Sequence, residues 1–183
     1  MKTMDAAASL FETSLIFELS PEALAQVKAL MAHPLLAGHA EGLPEPHVTA
    51  LFVGVLNGSM LETLKPELAA PPKQVIDAGL TGWGFFRRDD GTCAIHIRVR
   101  PEPDLIAVHQ WALSVCRRFF WMPPANTSAD NYVPHITVAD GLLDPDAVLE
   151  ALEGVAIPSR VMFNRLQLRA HPWRPPPPSV EFQ

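Results

Sequence analysis

Apolar positions along the chain switch between a period of two and a period near 3.6, and the switches mark out the elements. Thr13 to Leu19 (TSLIFEL) reads as a strand. Ser20-Pro21-Glu22 then supplies an N-cap, a proline at the first helical position and an acid in the first turn. Leu24, Val27, Leu30 and Met31 form one apolar stripe, so 21–32 is an amphipathic helix. A Pro/Gly-rich loop, 33–46, leads to a strand over 47–54. Ser59-x-x-Glu62 is a capping-box pattern for a helix over about 60–70, with Pro66 predicting a kink or early end. Val75 to Arg88 is extended, Asp89-Asp90-Gly91 is a hairpin turn, and Thr92 to Arg100 is the return strand.

Pro101-Glu102-Pro103 opens the longest helix, 103–120, with a stripe of Leu105, Ile106, Ala112, Leu113, Cys116, Phe119 and Phe120. A polar loop, 123–131, precedes a second apolar strand through Ala139. Asp144-Pro145-Asp146 caps a helix to about 153. Val161, Phe163, Leu166 and Leu168 form a last strand whose parity shifts near Asn164-Arg165, which predicts a bulge. Residues 1–12 read as a loose, alanine-rich lead-in, and 171–183 as a stiff Pro-rich tail.

Strand, helix, loop, strand, helix, strand describes 13–88 and again 92–170. This internal repeat predicts an α+β fold, one domain over 1–183, with two pseudo-symmetric sheet-and-helix lobes around a central cleft. The chemistry repeats with it. Pro46-His47-Val48-Thr49 and Pro134-His135-Ile136-Thr137 each open an apolar run, and the histidines stand about half the chain apart. On a strand, His and Thr of such a tripeptide share one face. A single His-x-Thr is most simply a core histidine with a hydrogen-bond partner. Two on matching strands make a phosphate site, in which one neutral imidazole takes a proton and the other, protonated, gives one. The threonine hydroxyls donate to oxygens gaining charge.

These paired motifs resemble the two-histidine (2H) phosphoesterase superfamily, which includes the bacterial and archaeal 2'-5' RNA ligases, also described as RNA 2',3'-cyclic phosphodiesterases. Thr49-x-x-Phe52-x-Gly54 and Tyr132-x-Pro134 extend the likeness, which covers roughly residues 13–170. The resemblance implies lobes of antiparallel sheet, with both termini in one lobe and the middle of the chain in the other. It implies hydrolysis of a 2',3'-cyclic phosphate to a 2'-phosphate, with possible 2'-5' ligation of RNA ends by the reverse reaction. His47 is assigned as acid and His135 as base, although the sequence alone does not separate these roles. Thr49 and Thr137 hold the phosphate. Family members often carry a basic residue shortly after the second motif, where this chain has Asp140.

Other residues stand as candidates beside their plainer readings. His96, Arg98 and Arg100 share a face of the return strand and suit phosphate contact, or form a solvated face. Trp83, Phe85, Phe86 and Tyr132 suit base stacking, or pack in the core. Tyr132 is favoured because a loop aromatic three residues before His135 has little packing reason. No histidine, cysteine or carboxylate group stands at metal-ligand spacing, so no metal or cofactor is expected. Cys93 and Cys116 read as free thiols.

A net charge of −6 disfavours duplex nucleic acid and favours a small nucleotide or an RNA 3'-end. With no apolar run of about 18 residues and no signal segment, a cytoplasmic monomer away from membranes is expected. Two rival functions remain: a nucleotide- or RNA-end-binding module with little chemistry, and a cyclic phosphodiesterase for a non-RNA small molecule.

Overall fold

The computed structural model describes residues 9–119 and 131–173. Eleven elements follow in order: β1 (Leu10–Leu19), α1 (Pro21–Met31), α2 (Ala37–Ala40), β2 (His47–Asn57), α3 (Gly58–Glu67), β3 (Ile76–Arg87), β4 (Cys93–Val99), α4 (Pro103–Arg118), β5 (His135–Leu142), α5 (Pro145–Leu152) and β6 (Arg160–Pro172). The α+β class and the repeated order agree with the sequence pattern.

Local chemistry accounts for most boundaries. Ser20 caps α1 by accepting from the Ala23 amide, and Asp144 caps α5 by accepting from Ala147. The cap of α3 is Asn57, which accepts from Met60, rather than the expected Ser59. An amide oxygen one residue before the helix meets the same orphan N–H groups, so α3 begins earlier. It ends at Glu67, just past Pro66. The 33–46 segment contains the short helix α2. Two terminal expectations are corrected. β1 starts at Leu10, inside the supposed lead-in. β6 runs to Pro172, and the Trp173 amide donates to Leu10 O at 2.9 Å. Backbone pairing between the two ends overrides their loose composition. Phe120, most of the 123–131 loop and the tail from 174 lie outside the described residues.

The sheet order is β2-β1-β6-β3-β4-β5, and every pair is antiparallel. Exchanging the halves (β1 for β4, β2 for β5, β3 for β6) reverses this order without altering it. The sheet therefore has a pseudo-twofold between β6 and β3. Those two strands pair only through their first residues, Ile76–Gly79 against Arg160–Phe163. Beyond that point each crosses to the other half: β3 pairs with β4, and β6 with β1. The first and last strands, β1 and β6, thus belong to one lobe with β2, and β3, β4 and β5 form the other. The Asn164 bulge is present, since Glu18 pairs with Arg165 and Leu19 with Phe163.

The motif strands β2 and β5 are the outermost strands, yet they come into contact as the sheet curves. α1 packs on β5, and its counterpart α4 on β2, so each half's first helix braces the other half's motif strand. Val48, Ile136 and Val138 are fully buried. Burial of each contributes about 1.5–3 kcal/mol. One face of each motif strand is thereby anchored in the core, and His and Thr are turned to the other.

Candidate active site

His47 and His135 sit in matching local frames. His47 Nδ1 lies 2.8 Å from Glu45 O, and His135 Nδ1 lies 2.8 Å from Val133 O, each carbonyl two residues back. A carbonyl only accepts, so Nδ1–H donates in both. The other ring nitrogen, Nε2, is then an acceptor in the neutral form and a donor in the charged form. Pairing slips by one residue just after each threonine, at Ala50 in β2 and Val138 in β5, and again near Gly54 and Gly141. Those glycines have φ of 98° and 74°, a left-handed conformation other residues seldom adopt. Such bulges bend a strand and re-aim its side chains.

His47, Thr49, His135 and Thr137 line one cavity of about 240 Å³, together with Arg88 and Asp140. Thr49 and His135 also border a second cavity of about 490 Å³, lined by Phe52, Phe86, Arg87 and Tyr132 among others. The first gathers two imidazoles, two hydroxyls, a guanidinium and a carboxylate, and the second offers aromatic surface beside it.

Both motif histidines are held below the usual imidazole range. Burial is the main cause for each, opposed by the carbonyl contact. For His47, the Arg169 guanidinium and the neighbouring His135 and His171 lower it further. Arg169 Nη1 stands 3.4 Å from His47 Nδ1. Both groups are donors once Glu45 O has claimed the Nδ1 proton, so Arg169 acts there as a charge rather than a bonding partner.

The other candidates divide. Register places His96 opposite Thr137 and Arg98 opposite His135, on the face that carries the second motif. The solvated-face reading fails for His96, which is buried, while Arg98 is exposed. The His96 ring lies 5.2 Å from His135 and stacks on Phe86 at 4.2 Å. Burial first, then the charges of His135 and Arg98, push His96 down to about 4, so it is neutral and brings no charge to a phosphate. The space for it is made by Gly84, where a Cβ would stand 2.6 Å from His96 Nε2. Tyr132 proves to have a packing role. Its ring stacks on buried His109 at 4.2 Å, and its hydroxyl is buried without a hydrogen-bond partner among the described residues. Burial pushes that phenol well up.

Sequence reasoning missed Arg88, Arg169 and His109. His109 Nδ1 donates to Ala50 O at 2.6 Å, taking the carbonyl at the bulge. Neither its place on α4 nor that of Arg169 near the chain end carries a local signal; only the pairing of distant strands reveals them. Among the described residues no group of three or more His, Cys, Asp or Glu is placed to hold a metal ion, and no helix is long and apolar enough to cross a membrane. Cys93 and Cys116 are free and buried.

Two His-x-Thr strands related by a pseudo-twofold and facing one cleft define the two-histidine class of phosphoesterase fold. The chain belongs to the 2'-5' RNA ligase superfamily, whose family model matches residues 18–172. Among solved structures it is similar to a protein described only as a phosphoesterase, at 15% identity, TM-score 0.62 and coverage of 90% of both chains. It is also similar to E. coli LigT in complex with 3'-AMP, at 14% identity and TM-score 0.56, covering 90% of this chain and 95% of that one. Kluyveromyces marxianus Usb1 matches at 10% identity and TM-score 0.52, covering 92% and 100%. At these identities the likeness is one of fold. A search of curated protein sequences gives no match. Superfamily membership supports a phosphoesterase or RNA-processing role.

Proposed function

We propose that this protein is a metal-independent phosphoesterase that hydrolyses 2',3'-cyclic phosphates of nucleotides or RNA ends to 2'-phosphates. The observation that carries the reading is the shared orientation of the two imidazoles. Each gives its Nδ1 proton to a carbonyl, which leaves Nε2 for proton transfer, and both histidines and both threonines line one cavity. Water attacks the cyclic phosphorus while His135 Nε2 takes its proton. The P–O3' bond breaks, and O3' takes the proton of His47 Nε2. Thr49 and Thr137 donate to the non-bridging oxygens, and the base rests in the aromatic cavity near Phe86. With a 5'-hydroxyl in place of water, the same step forms a 2'-5' bond. The unit acts as one domain, on a small nucleotide or RNA 3'-end. E. coli LigT has been solved with 3'-AMP and ATP, which is in keeping with a nucleotide as ligand here.

The test is incubation with each 2',3'-cyclic mononucleotide in chelator, resolving 2'- from 3'-phosphate. The expected product is 2'-phosphate alone. The 3'-isomer, or activity abolished by chelator, contradicts the mechanism. Binding without turnover is the outcome that favours a binding module.

A further inference from the structure

The four motif side chains bring hydrogen bonds to the cleft but no permanent charge. With both imidazoles held below their usual range, the pair is mostly neutral at pH 7. A phosphodiester arrives with one negative charge, and more builds at its oxygens as the nucleophile adds. Among the described residues lining the motif cavity, one is an arginine or lysine, namely Arg88.

Arg88 is set by its backbone and by an ion pair. Its amide donates to Thr92 O at 2.8 Å, and its carbonyl accepts from Gly91 at 3.1 Å, so the β3–β4 hairpin fixes its root. Its Nη2 donates to Asp140 Oδ2 at 2.6 Å. Asp140 is itself held: Oδ1 accepts from the Gly141 amide at 2.8 Å, and its carbonyl lies 3.2 Å from His39 Nδ1. The ion pair uses one of the five N–H donors of the guanidinium, which leaves the fork able to meet a phosphate oxygen as well.

We propose that Arg88 is the phosphate-binding cation of this site, and that its partner Asp140 confines the site to substrates with one phosphate, excluding those with a second phosphate close by. The proposal rests on the phosphoesterase reading of the cleft and narrows its substrate class. The Arg88–Asp140 pair is close to neutral, so one phosphate meets the free donors of the guanidinium. A second phosphate nearby meets the Asp140 carboxylate with no further arginine or lysine among the described lining residues, and at this range like charges repel. The class favoured is a small cyclic nucleotide or comparable diester rather than the end of a longer RNA.

Binding tests this without depending on turnover. Titration calorimetry compares adenosine 2'-monophosphate with adenosine 2',5'-bisphosphate on the intact chain, as wild type, Arg88→Ala, Arg88→Lys and Asp140→Asn. Arg88→Ala is expected to weaken the monophosphate at least about tenfold, with partial recovery in Arg88→Lys. Asp140→Asn is expected to shift the ratio of affinities toward the bisphosphate by a similar factor. Arg88 is an exposed hairpin residue, and thermal melting of each variant verifies the fold. Monophosphate affinity indifferent to Arg88, or a ratio indifferent to Asp140, overturns the proposal. If the wild type binds with these dependences but turns over no cyclic nucleotide, the inference stands and the hydrolytic reading falls.

Discussion

His47 and His135 share a backbone frame but not their surroundings. Each donates Nδ1–H to the carbonyl two residues back, each is followed by a threonine and a bulge, and each strand ends the sheet. Beside His47 stands a charge, Arg169, and His171 also disfavours the His47 imidazolium. Around His135 stand rings: Phe86 at 4.7 Å, edge-on, and His96 at 5.2 Å. The duplicated motif sets where the two imidazoles point. Residues outside the motif make the two sites differ, and only such residues can assign different proton roles to two identical side chains.

The largest effect expected is removal of either ring. His47→Ala and His135→Ala should each lower kcat by about 10²–10⁴-fold, measured on a 2',3'-cyclic mononucleotide, with the melting temperature little changed. A full rate in one variant would break the symmetry outright. Thr49→Val and Thr137→Val should each cost about 10²–10³-fold in kcat, as single oxyanion donors do.

Subtler changes sharpen the comparison. Both histidines titrate below the ordinary value of 6.5. The form with one proton on the pair therefore peaks below that pH, and kcat/KM should trace a bell with its maximum below about 6.5. Arg169→Ala removes a charge that opposes the His47 imidazolium, so it should move one limb of the bell to higher pH and leave the other in place. Gly84→Ala acts on the other side. Its Cβ would crowd the buried His96 ring, which has little room to yield, so a loss of about 1–3 kcal/mol in urea unfolding is expected.

The smallest effect concerns stability against pH. His96 is neutral in the fold, with its pKa lowered to about 4. Its contribution is complete above about 6.5 and is lost as pH falls toward 4, because the unfolded chain then binds the extra proton. The melting temperature should decline across that window, and less steeply in His96→Leu.

The repeat, the motif strands, the Asn164 bulge and the two-lobed α+β class were legible in the chain because each depends on local period or on a duplicated string. What stayed hidden depends on partners brought from afar. Ser59 looked like the cap of α3, but Asn57 offers the same chemistry two residues earlier. His96 reads as part of a solvated face with Arg98 and Arg100, because a period of two cannot tell that Phe86 on the neighbouring strand covers it. The packing reason for Tyr132 is His109, which α4 brings against its ring and which no local pattern announces. Asp140 stands out as a departure from the family pattern, and its partner Arg88, just past the end of β3, carries no signal of its own.

The central claim is that His47 and His135 act as a unit on one phosphate. The most direct test compares kcat of His47→Ala, His135→Ala and the double variant on the same cyclic nucleotide. A double variant about as slow as either single one is the predicted result, since a concerted pair fails when one member is lost. Losses that multiply, as for independent contributions, would contradict it.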